Sequence, residues 1–355
     1  MKTVVKTFAR QFSSLIMAIA LGSAVVSCDS ILDEEEVDCS VHYRVQFKYD
    51  YNMKYADAFA NEVSSVTLYA FDDNGKLAFQ KTEEGEILKA KDYYMDLEVP
   101  SGDYRLITWA GRLNEEASFS VPLMTVGQST YEELKCKMER AYSRAEDGSA
   151  FINTELTGLW HGDVKAHNFP SRAAMIETVT VPLVKNTNKI RIILQQMNGT
   201  GLDVDNFEFS ITDDNGYMNY DNMLLDDEII TYYPYFHADG STVFEDDVQV
   251  EEGDNISVAV AQLTVGRLVV EQNPYLTITN RENGEQILRI PLIKYLLLTE
   301  AEGHDMTNQE YLDRQDEYHM TFFLDENNTW INTRIIINDW IVRFNDFDKI
   351  GRAHV

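Results

Sequence analysis

Residues 41–49 alternate without a break: Val41, Tyr43, Val45, Phe47 and Tyr49 are separated by His42, Arg44, Gln46 and Lys48. Successive side chains of a strand point to opposite faces, so this period-two pattern specifies a strand with one buried face and does not fit a helical stripe. Similar runs recur at 63–71, 93–99, 104–110, 179–183, 189–194, 207–211, 255–263, 267–271, 275–280, 287–290 and 318–324. Short strands at such spacing build sandwiches, not alternating α/β layers.

The turns support the same architecture. Asp72-Asp73-Asn74-Gly75 separates the strand at 63–71 from the apolar residues at 76–80, and predicts a hairpin closed by a type I′ turn with Asn74 and Gly75 at positive φ. The same four residue types return at Asp213-Asp214-Asn215-Gly216, again after an alternating strand. This repetition predicts a second domain of similar topology. Short helices are expected at 129–134 and 309–316, a loop at 140–148, and either a strand or a helix at 291–298. Residues 330–344 read as one closing strand around an Asn338-Asp339-Trp340 break.

An address precedes the strands. Lys2, Lys6 and Arg10 form a positive segment without acids, followed by a mostly apolar run from Phe12 to Val26. That run is shorter than the ~20 residues of a membrane-spanning helix and is interrupted by Ser13, Ser14, Gly22 and Ser23, as in a secretory signal. Val25-Val26-Ser27 then leads to Cys28, an aliphatic-small-small approach to cysteine that suits lipoprotein processing. Cys28 is the expected lipidation site. An ordinary cleaved signal with a chance cysteine is the alternative. The acidic run 33–36 reads either as a solvated, self-repelling tether or as a sorting signal for surface export.

The predicted organisation is a signal peptide at 1–27, an acidic tether at 28–38, an N-terminal β-sandwich domain at 39–172 and a C-terminal one at 173–349. Residues 350–355 carry no strand pattern and match a translation of common sequencing-adapter DNA, so they read as a non-native tail with the natural chain interrupted near Lys349. Beside Cys28 two cysteines remain, Cys39 and Cys136, which an exported chain can pair or bury as thiols.

Charge and motifs exclude several function classes. Removing the three positive charges of the signal from the −29 of the whole chain leaves −32. A body this acidic offers no basic face for nucleic acid and none for anionic lipid. No Gly-x-Ser-x-Gly, His-Glu-x-x-His or phosphate-binding loop occurs, so no catalytic residue is assigned and no cofactor is expected. His161, Asp163 and His167 fit no zinc spacing and read as polar loop residues. The aspartates at 203, 205, 213, 214, 226 and 227 lack the ligand order of a calcium loop and read as a solvated acidic surface, so no metal site is assigned.

Several segments together resemble one family. These are Val-His-Tyr-Arg-Val-Gln-Phe-Lys-Tyr-Asp-Tyr-Asn-Met at 41–53, the strand and turn at 63–75, and 100–111 with its Tyr-Arg-Leu-Ile-Thr-Trp-Ala-Gly. Segments 181–194, 309–324 and 335–343 complete the series. Their order, with the cysteine that ends the signal, is similar to the FimB-type minor fimbrial subunits, the anchor lipoproteins of Bacteroidia-type (type V) pili. One departure is Asn338-Asp339-Trp340, where the family pattern has Asn-Gly-Trp. The resemblance implies an all-β chain of two tandem transthyretin-like Greek-key β-sandwich domains with short helices in the connections, and no catalysis. It also implies pilus subunits as partners, a lipid anchor in the outer membrane facing the cell exterior, and a role in attaching the pilus and limiting its length.

Related shaft subunits lose their lipid and first strand to a trypsin-like protease, which opens a groove for a neighbour's strand. Here no Lys or Arg lies between Cys28 and Arg44, and Arg44 is inside the first strand. The expectation is a subunit that keeps its lipid and its first strand. Contact with the pilus then falls to another edge, for which 334–344 is the candidate, with Ile335, Ile337, Trp340 and Val342 as contact residues. An internal strand completing the second sandwich is the alternative for that segment. A surface lipoprotein that binds glycan or host protein without a pilus is the alternative for the whole chain, with Tyr232-Tyr233-Pro234-Tyr235-Phe236 as an aromatic cluster able to serve it.

Overall fold

Alternation becomes sheet throughout the computed structural model, which describes residues 42–113, 117–144, 148–171, 176–196, 201–242, 256–299 and 305–343. The first strands are β1 (His42–Lys48), β2 (Ser65–Phe71), β3 (Leu77–Glu84), β4 (Met95–Leu97) and β5 (Gly102–Ala110), with the one-turn helix α1 (Phe59–Glu62) after β1. Short strands β6 (Phe119–Ser120), β7 (Cys136–Met138), β8 (Ala141–Tyr142) and β9 (Ala150–Ile152) lead to the long β10 (Trp160–Phe169). Then come β11 (Ile176–Pro182), β12 (Val184–Lys185), β13 (Thr187–Gln196), β14 (Phe207–Asp213), β15 (Tyr217–Met218), β16 (Ile230–Tyr232), β17 (Phe236–Thr242) and β18 (Ile256–Gly266). The last strands are β19 (Tyr275–Asn280), β20 (Gln286–Pro291), β21 (Glu317–Leu324), β22 (Trp330–Ile337) and β23 (Trp340–Arg343). Helices α2 (Leu292–Leu296) and α3 (Asn308–Arg314) sit between β20 and β21. The ambiguous run at 291–298 is thus helical, and the helix expected at 129–134 is a single 3-10 turn, Tyr131–Glu133.

The chain is all-β. A three-stranded sheet, β11-β1-β4, lies on a five-stranded sheet, β12-β10-β5-β2-β3. Tyr43 of β1 meets Phe169 of β10 at 4.7 Å between ring centroids, and Tyr49 meets Trp160 at 6.0 Å. All seven residues of β2 are buried. Tyr69 and Phe71 join the main core, while Val66, Leu68 and Ala70 fall outside it, as alternation dictates for a strand covered on both faces.

Two six-stranded sheets, β17-β18-β13-β21-β22-β23 and β20-β19-β14-β16-β9-β8, share that main core. Ile190, Ile192 and Leu194 of β13 contribute from the first, and Phe207, Phe209 and Ile211 of β14 from the second. A small sheet, β15-β7-β6, adds Phe119, Met138 and Met218. A largely buried ion pair ties two connections together: Arg267 grips Asp313 through two N–H groups at 3.0 and 2.9 Å and donates a third to the Asn222 carbonyl at 2.6 Å. Removing one partner of such a pair leaves an uncompensated buried charge.

Sheet membership interleaves across the expected boundary at 172/173. β11 pairs in parallel with β1, from His42↔Ile176 to Lys48↔Pro182. β9 pairs in parallel with β16, and β7 pairs antiparallel with β15. Parallel partners need long connections, so adjacency in sequence does not reveal them.

The two Asp-Asp-Asn-Gly runs differ. Asp72–Gly75 closes the β2–β3 hairpin, with Gly75 N donating to Asp72 O at 2.9 Å and Asp72 Oδ1 accepting from Asn74 N and Lys76 N at 3.0 and 2.8 Å. Only Gly75 has positive φ, at 74°, so the turn is type I followed by a left-handed glycine, not type I′. The second run is no hairpin. Asn215 is fully buried, accepting from the Tyr232 hydroxyl at 2.5 Å and donating to the Arg267 carbonyl at 3.0 Å. Asp213, read from sequence as solvated, is buried too, and desolvation pushes its carboxyl up to about 7.

Candidate functional site

Two strands at opposite ends of the described chain carry the sequence's functional expectations. β1 is the centre of its sheet, between β11 in parallel and β4 antiparallel. Tyr43, Val45, Phe47 and Tyr49 are all buried, and Val45 completely so. Phe47 stacks with Phe59 of α1 at 5.7 Å and with Tyr93 at 6.2 Å, and those two rings stack on each other at 5.8 Å. The Tyr43 hydroxyl donates to the Pro170 carbonyl at 3.0 Å, and Tyr49 N donates to Asp57 Oδ1 at 3.0 Å. Burying each such side chain contributes roughly 1.5–3 kcal/mol, so four of them approach the whole stability of a typical domain.

Arg44 shares this confinement. Its backbone faces Thr178 on one side and Asp96 on the other. Its guanidinium lies over the Tyr94 ring at 3.9 Å, with Asp96 Oδ1 3.9 Å from its Nε. A protease that reads an extended chain must first detach β1 from two neighbours to reach this bond. The sequence located the strand, and read Tyr93 and most of β11 as strand as well, but not that they meet β1. Phe59 opens the one-turn helix α1, which is too short to carry a period.

β23 has the opposite setting. Residues 330–344, expected as one strand, fold back as the β22–β23 hairpin, with Ile337 facing Trp340. Asn338 and Asp339 have φ of 48° and 69°, so the two-residue type I′ loop expected at Asn74-Gly75 occurs here. Asn338 fixes the loop by exchanging two bonds with the His319 backbone, both 2.8 Å. β22 is internal, and Ile335 and Ile337 are fully buried in the core. Among the described residues β23 is the last strand of its sheet, paired on one side only. Trp340 and Ile341 are 49% and 51% exposed, while Val342 packs partly against the core. Of the four predicted contact residues, Trp340 and Val342 are therefore on β23, and Ile335 and Ile337 are beside them on the buried neighbour β22. Ile341, also half exposed on β23, was not among the four.

The expected lipidation site Cys28 and the first partner of the possible disulfide, Cys39, lie outside the described residues. Cys136 is a fully buried thiol in β7, and burial pushes it well above its ordinary range. His161 and His167 are on β10, not in a loop. His161 is buried against Trp109 at 4.7 Å, and loss of hydration pushes its imidazole down to about 4. The neutral ring donates from Nε2 to the Tyr220 carbonyl at 2.9 Å. Among the described residues no cluster of three or more His, Cys, Asp or Glu could hold a metal ion.

The chain resembles fimbrial proteins along most of its length. It is 22% identical over 338 residues to the minor fimbrium anchoring subunit Mfa2 of Porphyromonas gingivalis, covering 94% of this chain and 95% of that protein. A crystal structure described as a putative adhesin from Bacteroides thetaiotaomicron is 36% identical, with a TM-score of 0.75 over 86% of this chain and 99% of the other. The solved fimbrial anchor protein Mfa2 from Porphyromonas gingivalis has the same fold, at 18% identity and a TM-score of 0.62, over 86% of this chain and 99% of that one. Residues 35–346 match the family described as fimbrillin-A associated anchor proteins Mfa1 and Mfa2, and the chain belongs to that family.

Proposed function

We propose that this protein is a non-catalytic surface lipoprotein that holds a fimbrium on the outer membrane and closes its basal end. The observation that carries the reading is the seating of β1 at the centre of its sheet, with both backbone edges paired at Arg44. A subunit in this state has the place of β1 filled by its own strand and does not offer it to a neighbour's. It also has nothing for a Lys- or Arg-directed protease to cut between Cys28 and β1, because no basic residue is present there. The acidic segment after Cys28 then survives as a tether. Each buried acyl CH₂ contributes about 0.8 kcal/mol, and two or more chains on Cys28 suffice for stable retention.

With β1 locked in place, contact with the next fimbrial subunit falls to the edge strand β23. Its free side presents backbone groups to a partner strand, with Trp340 and Ile341 as apolar side chains. The decisive experiment is deletion of the gene followed by electron microscopy, with N-terminal mass spectrometry of the protein from the surface fraction. Pili shed to the medium or overlong, together with an acylated Cys28 N-terminus, are the expected result. Unchanged pili, or an N-terminus beginning after Arg44, overturn the proposal. Cys28→Ser is expected to leave folding intact and to release the protein from the membrane.

A further inference from the structure

The aromatic run at 232–236 belongs to neither strand above. Tyr232 is fully buried as the last residue of β16. Pro234 has no N–H with which to continue a ladder, and the chain leaves one six-stranded sheet there to start β17 in the other. β16 therefore covers only Ile211, Thr212 and Asp213 of β14, and the earlier part of β14 pairs with β19 alone. Beside that uncovered half lies a groove of about 440 Å³. Small-ligand sites typically span ~300–1,000 Å³.

The groove has an aromatic wall and a polar rim. Tyr233 and Phe151 form the wall, edge to face at 6.3 Å. Asn153, Asp205, His237 and Arg281 form the rim, each from a different element. Asp205 Oδ1 stands 3.2 Å from His237 Nε2, with the two side chains 78% and 54% exposed. Arg281 is positioned by its Nε, which donates to the Phe207 carbonyl at 3.0 Å.

We propose that this groove binds a neutral oligosaccharide. A pyranose has an apolar C–H face that can lie on an aromatic ring, and hydroxyls that both donate and accept. The rim matches them with an acceptor at Asp205, donors at Arg281, and both kinds at Asn153 and His237. Polyanionic glycans are disfavoured by a chain charge of −29. An extended peptide fits less well, because four polar side chains ring the space where a strand would place apolar ones. This inference stands apart from the anchoring role.

The test is binding of the full purified chain to arrayed neutral oligosaccharides ending in mannose, galactose, N-acetylglucosamine or fucose, beside arrayed extended peptides. Retention of at least one glycan is expected, with affinity lowered about tenfold or more by Tyr233→Ala and by Asn153→Ala, and unchanged by Ile341→Lys on the distant edge strand. Asn153 is exposed, so its variant remains decisive if Tyr233→Ala fails to fold. Absence of any retained glycan, retention that neither groove variant weakens, or retention of peptides instead overturns the proposal.

Discussion

The first and last described strands are both apolar, yet the fold uses them in opposite ways. β1 is paired on both sides and buries an aromatic or aliphatic side chain at every second position from Tyr43 to Tyr49. β23 is paired on one side and leaves Trp340 and Ile341 half exposed. The difference teaches that apolar character marks a strand but not its place in the sheet. What lies beyond each strand decides whether it is held or offered. In the proposed anchoring role the two settings are complementary, one strand staying in place and the other being offered for contact.

Substitutions can break this contrast, and the largest effect is expected in β1. Val45→Asp buries an unpaired carboxylate and is expected to destabilise the protein by about 4 kcal/mol or more in urea unfolding. A loss below about 1 kcal/mol would show that β1 is not integral to the core. Phe47→Ala removes a ring stacked against both Phe59 and Tyr93, with an expected loss of about 3–5 kcal/mol and no change in the slope of the denaturant curve.

At the other end stability and assembly should separate. Trp340→Lys and Ile341→Lys are expected to change unfolding free energy by less than about 1 kcal/mol. Together they should abolish co-purification with fimbriae, and normal co-purification would remove β23 from the contact surface. The smallest effect concerns the turn. Asp339 occupies φ 69°, which glycine adopts without strain. Asp339→Gly is expected to raise stability by about 1 kcal/mol, read as a higher urea midpoint, while leaving fimbrial contact unchanged.

Much of the fold was legible because strand alternation is local. The hairpin at Asp72–Gly75 lies where its turn residues placed it, and α3 overlaps the short helix expected at 309–316, with Thr307 accepting from Glu310 N at 3.2 Å at its start. Legibility failed where the same letters met different surroundings. Asp213–Gly216 repeats Asp72–Gly75 residue for residue, yet its asparagine is buried between Tyr232 and the Arg267 backbone. A Cβ on Gly216 would come within 2.4 Å of Ile230 Cδ1, so a larger residue there requires the surrounding side chains to shift. The first run is an exposed turn, and the second is a packed crossover. His161 shows the same limit, being a core imidazole on β10 that a polar neighbourhood had suggested was loop.

Alone, the sequence determined an all-β body, the position of its first strand, and a basic-free segment between Cys28 and that strand. Each is a property of neighbouring residues, written in period and composition. Tertiary structure decided that β11 would pair with β1 from 134 residues beyond it at His42↔Ile176, and that β23 would be the outermost strand of its sheet among the described residues. It also decided that leaving one sheet at Pro234 would open a groove beside β14. Those outcomes depend on which distant strands meet, and the free energy of such meetings comes from side-chain burial across sheets, which no local pattern records.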